Sequence, residues 1–194
     1  MNLPNSITLG RLVLTGVFIA AASAGGVAGH WIALVSFVLA AASDFLDGWL
    51  ARRLGMVTPI GKLMDPLADK ILTGSAFVHL SVEGLCPAWV SILIIAREFL
   101  VTGLRQLAVE AGQVLAADHL GKWKTTMQLA FCIICLIWFA SGTVAPGNSV
   151  IDFLRRLSAP GGWLQPVFLW LAFALTLLSG FHYLWGSRRL LSSR

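Results

Sequence analysis

Asp44-Phe45-Leu46-Asp47-Gly48-Trp49-Leu50-Ala51-Arg52 and, after eight intervening residues, Gly61-Lys62-Leu63-Met64-Asp65-Pro66-Leu67-Ala68-Asp69 form the stretch on which the fold turns. Four of the chain's nine acidic residues lie inside it, with apolar runs on either side. On a helix, Asp44 and Asp47 stand at i and i+3 and share a face, which Gly48, Ala51 and Arg52 continue by one and two turns. Asp65 and Asp69 stand at i and i+4 and share a face of the next helix. Gly55, Thr58, Pro59 and Gly61 break the helix between the two pairs. Helices joined by so short a connection run antiparallel and side by side, so the four carboxylates are expected to converge at one end of the pair.

The composition around that stretch is that of a membrane protein. Of the 194 residues, 57% are hydrophobic and 12% charged, against about 25% charged in a soluble domain. A soluble fold of this length, one domain over residues 1–194, lacks the interior to hide so much apolar surface, and a bilayer supplies the missing solvent. The net charge of +5 suits anionic lipid head groups. No basic run with interleaved aromatics occurs, so nucleic acid is not an expected partner. Cys132 and Cys135 have C-x-x-C spacing, but Ile133 and Ile134 fill the gap inside a long apolar run. Such surroundings disfavour the thiolate that redox chemistry and zinc require, so the cysteines are read as structural. The opening Met1-Asn2-Leu3-Pro4-Asn5 lacks the basic region of a signal peptide, and the first apolar segment is expected to stay in the mature protein.

Six apolar segments approach spanning length: about 12–27, 31–53, 63–83, 87–109, 125–143 and 165–189. The second, third and fourth carry charges and would be under-scored by hydropathy alone. With a cytoplasmic N-terminus, twelve basic residues fall on or near the cytoplasmic side and only Arg155 and Arg156 on the other. Six spans with both termini inside therefore satisfy the positive-inside rule. Pro146, Gly147, Asp152, Pro160, Gly161 and Gly162 mark residues 142–164 as an outer loop with one short interfacial helix.

Four crowded carboxylates at the edge of a bilayer repel one another and resist desolvation, so they are protonated in part or neutralised by a cation. Hard oxygen donors with no His or Cys nearby favour Mg²⁺ or Mn²⁺, as one or two ions. Such an ion completes its shell with substrate phosphates, which asks for a phosphorylated ligand. Gly48 and Ala51 leave room for a bulky group against the helix, and Arg52 is placed to hold a phosphate. The plainer alternative is a set of structural ion pairs with Arg52, Arg53, Lys62 and Lys70. Four acids on two shared faces with small residues between them argue against it.

These residues match, without a departure, the signature D-x2-D-G-x2-A-R-x8-G-x3-D-x3-D. In this the chain resembles the CDP-alcohol phosphatidyltransferase family. The resemblance implies a six-transmembrane-helix bundle, a homodimer, and a site open to the cytoplasm at a bacterial inner membrane. It implies transfer of a phosphatidyl group from CDP-diacylglycerol to an alcohol with release of CMP. Carried over by matching position, Asp44, Asp47, Asp65 and Asp69 would hold the metal, and Asp69 would also take the proton of the attacking hydroxyl. Asn5, Thr8, Gly48, Ala51, Arg52, Thr58 and Gly61 would line the CDP-diacylglycerol pocket. Further stretches are similar to the branch of the family that uses glycerol 3-phosphate and makes phosphatidylglycerophosphate. They are Asn5-x-x-Thr8-x-x-Arg11, Ala96-Arg97-Glu98, Gly103-Leu104-Arg105 and Gly121-Lys122-Trp123-Lys124-Thr125-Thr126. The resemblance is dense from about residue 2 to 130 and thin afterwards.

Arg97 and Arg105 are eight residues apart and share a helix face, while Lys122 and Lys124 head the fifth segment. A basic face near the aspartates suits an anionic acceptor, with Arg97, Arg105 and Lys122 as its phosphate ligands. Lys124, Arg188 and Arg189 are expected to snorkel to lipid phosphates, and Glu98 to pair with a neighbouring cation outside the site. The four histidines show no metal-ligand spacing and are read as structural. Trp31, Trp89, Trp163 and Trp185 sit towards segment ends, as interfacial anchors do. Two readings compete. One is a family member with another acceptor, inositol phosphate, serine or phosphatidylglycerol. The other is a transporter with buried acids, which predicts acids dispersed over several spans and an inverted repeat, neither of which is seen.

Overall fold

The computed structural model describes residues 3–54, 59–110 and 119–186, and side chains at 7–44, 64, 66–109 and 120–186. Seven helices account for nearly all of them, and no strand occurs among the described residues: α1 (Leu3–Ala24), α2 (Gly26–Leu54), α3 (Pro59–Val82), α4 (Ala88–Glu110), α5 (His119–Gly142), α6 (Ser149–Ser158) and α7 (Leu164–Gly186). α6 is the short helix expected in the outer loop; the other six correspond to the six apolar segments.

The first two helices are folded back on each other by glycine. Gly25 and Gly26 have φ of +64° and +73°, a region that a side chain strongly disfavours. A Cβ on Gly29 would stand 2.7 Å from the Ala21 carbonyl oxygen, so the two backbones touch there. α2 then runs for 29 residues, about 43 Å, longer than the roughly 30 Å hydrocarbon core of a bilayer. Within it, Gly26–Asp44 is long and apolar enough for a membrane crossing, so the helix has length to spare beyond one crossing. α3 starts at Pro59, which suits a first helical turn because the missing N–H would have no partner there. Gly61, expected to break the helix, lies inside α3.

Four helical stretches, Ile7–Ala24, Gly26–Asp44, Leu120–Gly142 and Leu164–Gly186, are long and apolar enough to cross a membrane. α3 and α4 carry charges along their length, Asp69 and Lys70 in the one and Arg97, Glu98 and Arg105 in the other. α1 packs along α2 and against α3, α5 packs along α7, and α4 bridges α3 and α7. The interior is aromatic: Phe18 meets Phe37 at 5.4 Å between ring centroids, and Phe77 stacks on Phe131 at 5.8 Å. Cys132 and Cys135 are fully buried in this core as free thiols, in line with a structural role. Between α5 and α7, Gln128 donates to the Thr176 hydroxyl at 3.0 Å. The outer surface carries Val13, Ile92, Leu178 and Phe181, each around three-fifths exposed. Apolar surface on that scale needs lipid against it.

The turn at the far end from the aspartates is tied by side chains. Asn148 caps α6, accepting from the Val150 and Ile151 amides. Arg155 donates to the carbonyls of Ser141 and Val144 at the end of α5. Trp89, Trp163 and Trp185 are exposed, as interfacial anchors require. His79 lies between Phe18 and Phe139, and His30 stacks on Phe139, so both are packing groups.

Candidate active site

Successive antiparallel helices bring the C-terminal halves of α2, α4 and α7 to the same end as the N-terminal halves of α1, α3 and α5. The candidate residues among those described lie towards that end. Asp44, on α2, is bound by Arg11 of α1: Nη1 stands 2.7 Å from Oδ1, and Nε donates to Ser43 Oγ at 3.2 Å. Arg11 is fully buried, whereas the Asp44 side chain remains 53% exposed. The guanidinium thus holds one carboxylate oxygen from inside the bundle and leaves the group open on its outer side. This partner was not among the cations expected to meet the aspartates. Thr8, one turn before Arg11 on α1, is buried.

On α3, Pro66 sits between Asp65 and Asp69 and breaks one rung of the helical ladder. Lys70 donates to the Pro66 carbonyl at 3.0 Å. Asp69 is half-buried and lies within electrostatic reach of Asp44, Lys70, Arg11 and Lys124. Asp44 of α2 and Asp69 of α3 therefore approach one another. The backbone places Asp47 one turn beyond Asp44 and Asp65 one turn before Asp69, both in helix. Thr58 lies outside the described residues, as do the side chains of Asn5, Asp47, Ala51, Arg52 and Asp65 and the surroundings of Gly48 and Gly61.

Next to Asp69 opens a cavity of about 420 Å³, within the range of small-ligand sites. Asp69, Lys70, Arg97, Glu98, Arg105, Lys122, Lys124 and Tyr183 line it, with Thr102, Thr125 and Thr126. The three cations expected to hold an acceptor phosphate thus share one cavity with Asp69. They differ in freedom. Arg97 is partly buried and donates to Ser179 at 2.8 Å. Arg105 donates to the Tyr183 hydroxyl. Lys122 is exposed, and among the described residues its ammonium has no protein partner.

Two expectations are corrected here. Lys124 does not snorkel to lipid. It is 4% exposed and makes an ion pair with Glu98 inside the cavity. Glu98 does pair with cations, Lys124 and, at 3.4 Å, Arg97, but it does so within the site rather than outside it. The reason is shared. An ammonium with a carboxylate within reach gains a charge-assisted bond that a distant lipid phosphate cannot match, and a carboxylate in an apolar run needs a cation. Removing either partner would strand the other, at a cost of about 3–5 kcal/mol for a well-buried pair. Tyr183 was missed altogether. It is the only tyrosine in the chain and stands in a helix whose sequence carries nothing but hydropathy.

Comparison with known proteins agrees with this geometry. The family model described as CDP-alcohol phosphatidyltransferase matches residues 1–178. A Bacillus subtilis (strain 168) protein named CDP-diacylglycerol–glycerol-3-phosphate 3-phosphatidyltransferase is 42% identical over 140 residues, covering 66% of this chain and 72% of its own. A Rickettsia felis protein of the same name is 33% identical over 182 residues, covering 94% of this chain and 93% of its own. With the aspartate signature complete and the match extending over nearly the whole sequence, the chain belongs to the CDP-alcohol phosphatidyltransferase family.

Proposed function

We propose that this chain transfers the phosphatidyl group of CDP-diacylglycerol to glycerol 3-phosphate, giving phosphatidylglycerophosphate and CMP. The names of its relatives support this, and one observation of its own carries it: a single cavity lined by Asp69 together with Arg97, Arg105 and Lys122. An uncharged acceptor would have no use for so many cations beside the aspartates.

In this reading Arg105 and Lys122, with Arg97 behind them, hold the acceptor phosphate and turn its free hydroxyl towards Asp69. Asp69 takes the hydroxyl proton as the new oxygen–phosphorus bond forms and the bond to CMP breaks. Holding both substrates in line removes much of the entropic part of the barrier. The donor set suits Mg²⁺ or Mn²⁺: Asp44 and Asp69 offer hard oxygens from two helices, and Asp44, paired with Arg11 at Oδ1, remains half exposed. When bound by Asp44, Asp47, Asp65 and Asp69, such an ion supplies neutralisation of the diphosphate and a better leaving group. Asn5, Thr8, Gly48, Ala51, Arg52, Thr58 and Gly61 surround the CDP moiety. The chain works as a homodimer of six-span subunits in a bacterial inner membrane, with both termini and the site on the cytoplasmic side. Arg155 and Arg156, at the opposite end of the bundle, support that orientation.

The test is to give the purified protein CDP-diacylglycerol, Mg²⁺ and, separately, glycerol 3-phosphate, inositol phosphate, serine and phosphatidylglycerol, and to score CMP release. Release with glycerol 3-phosphate, abolished by excess chelator, is expected. Release only with another acceptor would move the chain to a sibling activity. No release with any would remove the transferase assignment.

A further inference from the structure

Arg97 and Arg105 are two turns apart on α4, about 12 Å along the axis, yet both are drawn to one spot on α7. Arg97 donates to Ser179 at 2.8 Å, and its guanidinium carbon stands 5.9 Å from the centroid of the Tyr183 ring. Arg105 donates to the hydroxyl of the same tyrosine, with its guanidinium carbon 4.8 Å from the ring centroid. The stem of Arg97 runs against Gly180, where a Cβ would stand 3.0 Å from Arg97 Cγ and 3.5 Å from Nε. Ser179 is fully buried and Tyr183 is 5% exposed, so these partners are held in the bundle and do not follow the arginines about.

Two guanidiniums brought to one ring repel each other, and the aromatic face offsets only part of that repulsion. An anion between them offsets far more. Ser179, Gly180 and Tyr183 lie at i, i+1 and i+4 on one helix, past residue 178 where the family match ends. We propose that Ser179, Gly180 and Tyr183 are positioning residues that set acceptor specificity, by fixing Arg97 and Arg105 at a separation that takes one phosphate monoester. This rests on the assignment of those arginines to the acceptor phosphate. Without the α7 partners the arginines keep their charge but lose their fixed spacing, so the phosphate is bound less tightly while the donor is not affected.

The full chain in detergent micelles is assayed for the KM of glycerol 3-phosphate, the KM of CDP-diacylglycerol, and the rate ratio for glycerol 3-phosphate over glycerol. The unmodified chain comes first, since its activity with glycerol 3-phosphate tests the function itself. Ser179→Ala, Gly180→Ala and Tyr183→Phe are each expected to raise the acceptor KM roughly fivefold to tenfold, and Tyr183→Ala more. The donor KM should stay within about twofold, kcat at saturating acceptor should be largely kept, and the preference for glycerol 3-phosphate over glycerol should fall. Tyr183→Phe, which removes one oxygen and keeps the ring, decides the matter if Tyr183→Ala does not fold. Donor and acceptor KM rising together, or an unchanged acceptor KM in folded variants, would overturn the proposal. An unmodified chain that uses serine and not glycerol 3-phosphate would overturn the function and this proposal together; a normal unmodified chain with unresponsive variants would overturn this proposal alone.

Discussion

Asp69 is reached electrostatically by Asp44 and Arg11 from one pair of helices and by Lys70 and Lys124 from the neighbourhood of the cavity. A carboxylate so placed can touch both a metal-bound donor and an acceptor hydroxyl, and no other described acid lines the cavity except Glu98, which two cations occupy. Asn is the same shape and cannot accept a proton at neutral pH. Asp69→Asn should therefore lower CMP release by about a hundredfold or more, while the thermal unfolding midpoint in detergent stays the same or rises, because a half-buried carboxylate is removed. Retained turnover in that variant would take the proton-accepting role away from Asp69. At this level the sequence revealed the aspartates through spacing alone, since i, i+3 and i+4 are visible in any helix. It did not reveal the pairing of Arg11 with Asp44 or of Lys124 with Glu98, because residues 33 and 26 positions apart meet only when the bundle forms.

Among the elements, the α1–α2 turn is the tightest. Gly25 and Gly26 supply positive φ, and Gly29 supplies the space that lets α2 lie on α1. A methyl group on Gly29 would have to push back the backbone of Ala21, which cannot yield as a side chain tip can. Gly29→Ala should destabilise the protein by about 1–3 kcal/mol, measured as a fall in the unfolding midpoint. Gly10→Ala, on the facing helix α1 with nothing within 4 Å of the added atom, is the control and should leave it unchanged or raise it. Equal midpoints for the two would mean that α1 and α2 are not held at this contact. The helix count and the short α6 could be read in advance from apolar length and from the Pro and Gly residues around Asn148. Helix starts could not: α3 begins four residues before its apolar pattern, and α5 six residues before, because polar residues at a bundle's wet end still take helical backbone.

Across the whole molecule, charge is segregated. One end carries most of the acids and cations, and the other carries Glu83, Asp152, Arg155 and Arg156. The middle is an apolar core rich in phenylalanine. This makes α3 and α4 poor spans by hydropathy and good walls for a polar cavity. The half of the site contributed by α2 and α3 was legible as a motif. The half contributed by α4, α5 and α7 was only partly so, since Tyr183 and Ser179 meet Arg105 and Arg97 only when α7 packs on α4. The proposed function divides the site into an aspartate half for the donor and a cationic half for the acceptor phosphate, meeting at Asp69. The two Michaelis constants of Lys122→Ala and Arg105→Ala separate those halves most directly. Loss of a charge-assisted phosphate contact predicts a rise of roughly tenfold to a hundredfold in the KM for glycerol 3-phosphate, with the KM for CDP-diacylglycerol within about twofold of its normal value. An equal rise in both, or a rise for the donor alone, would contradict the division of the site into these two halves.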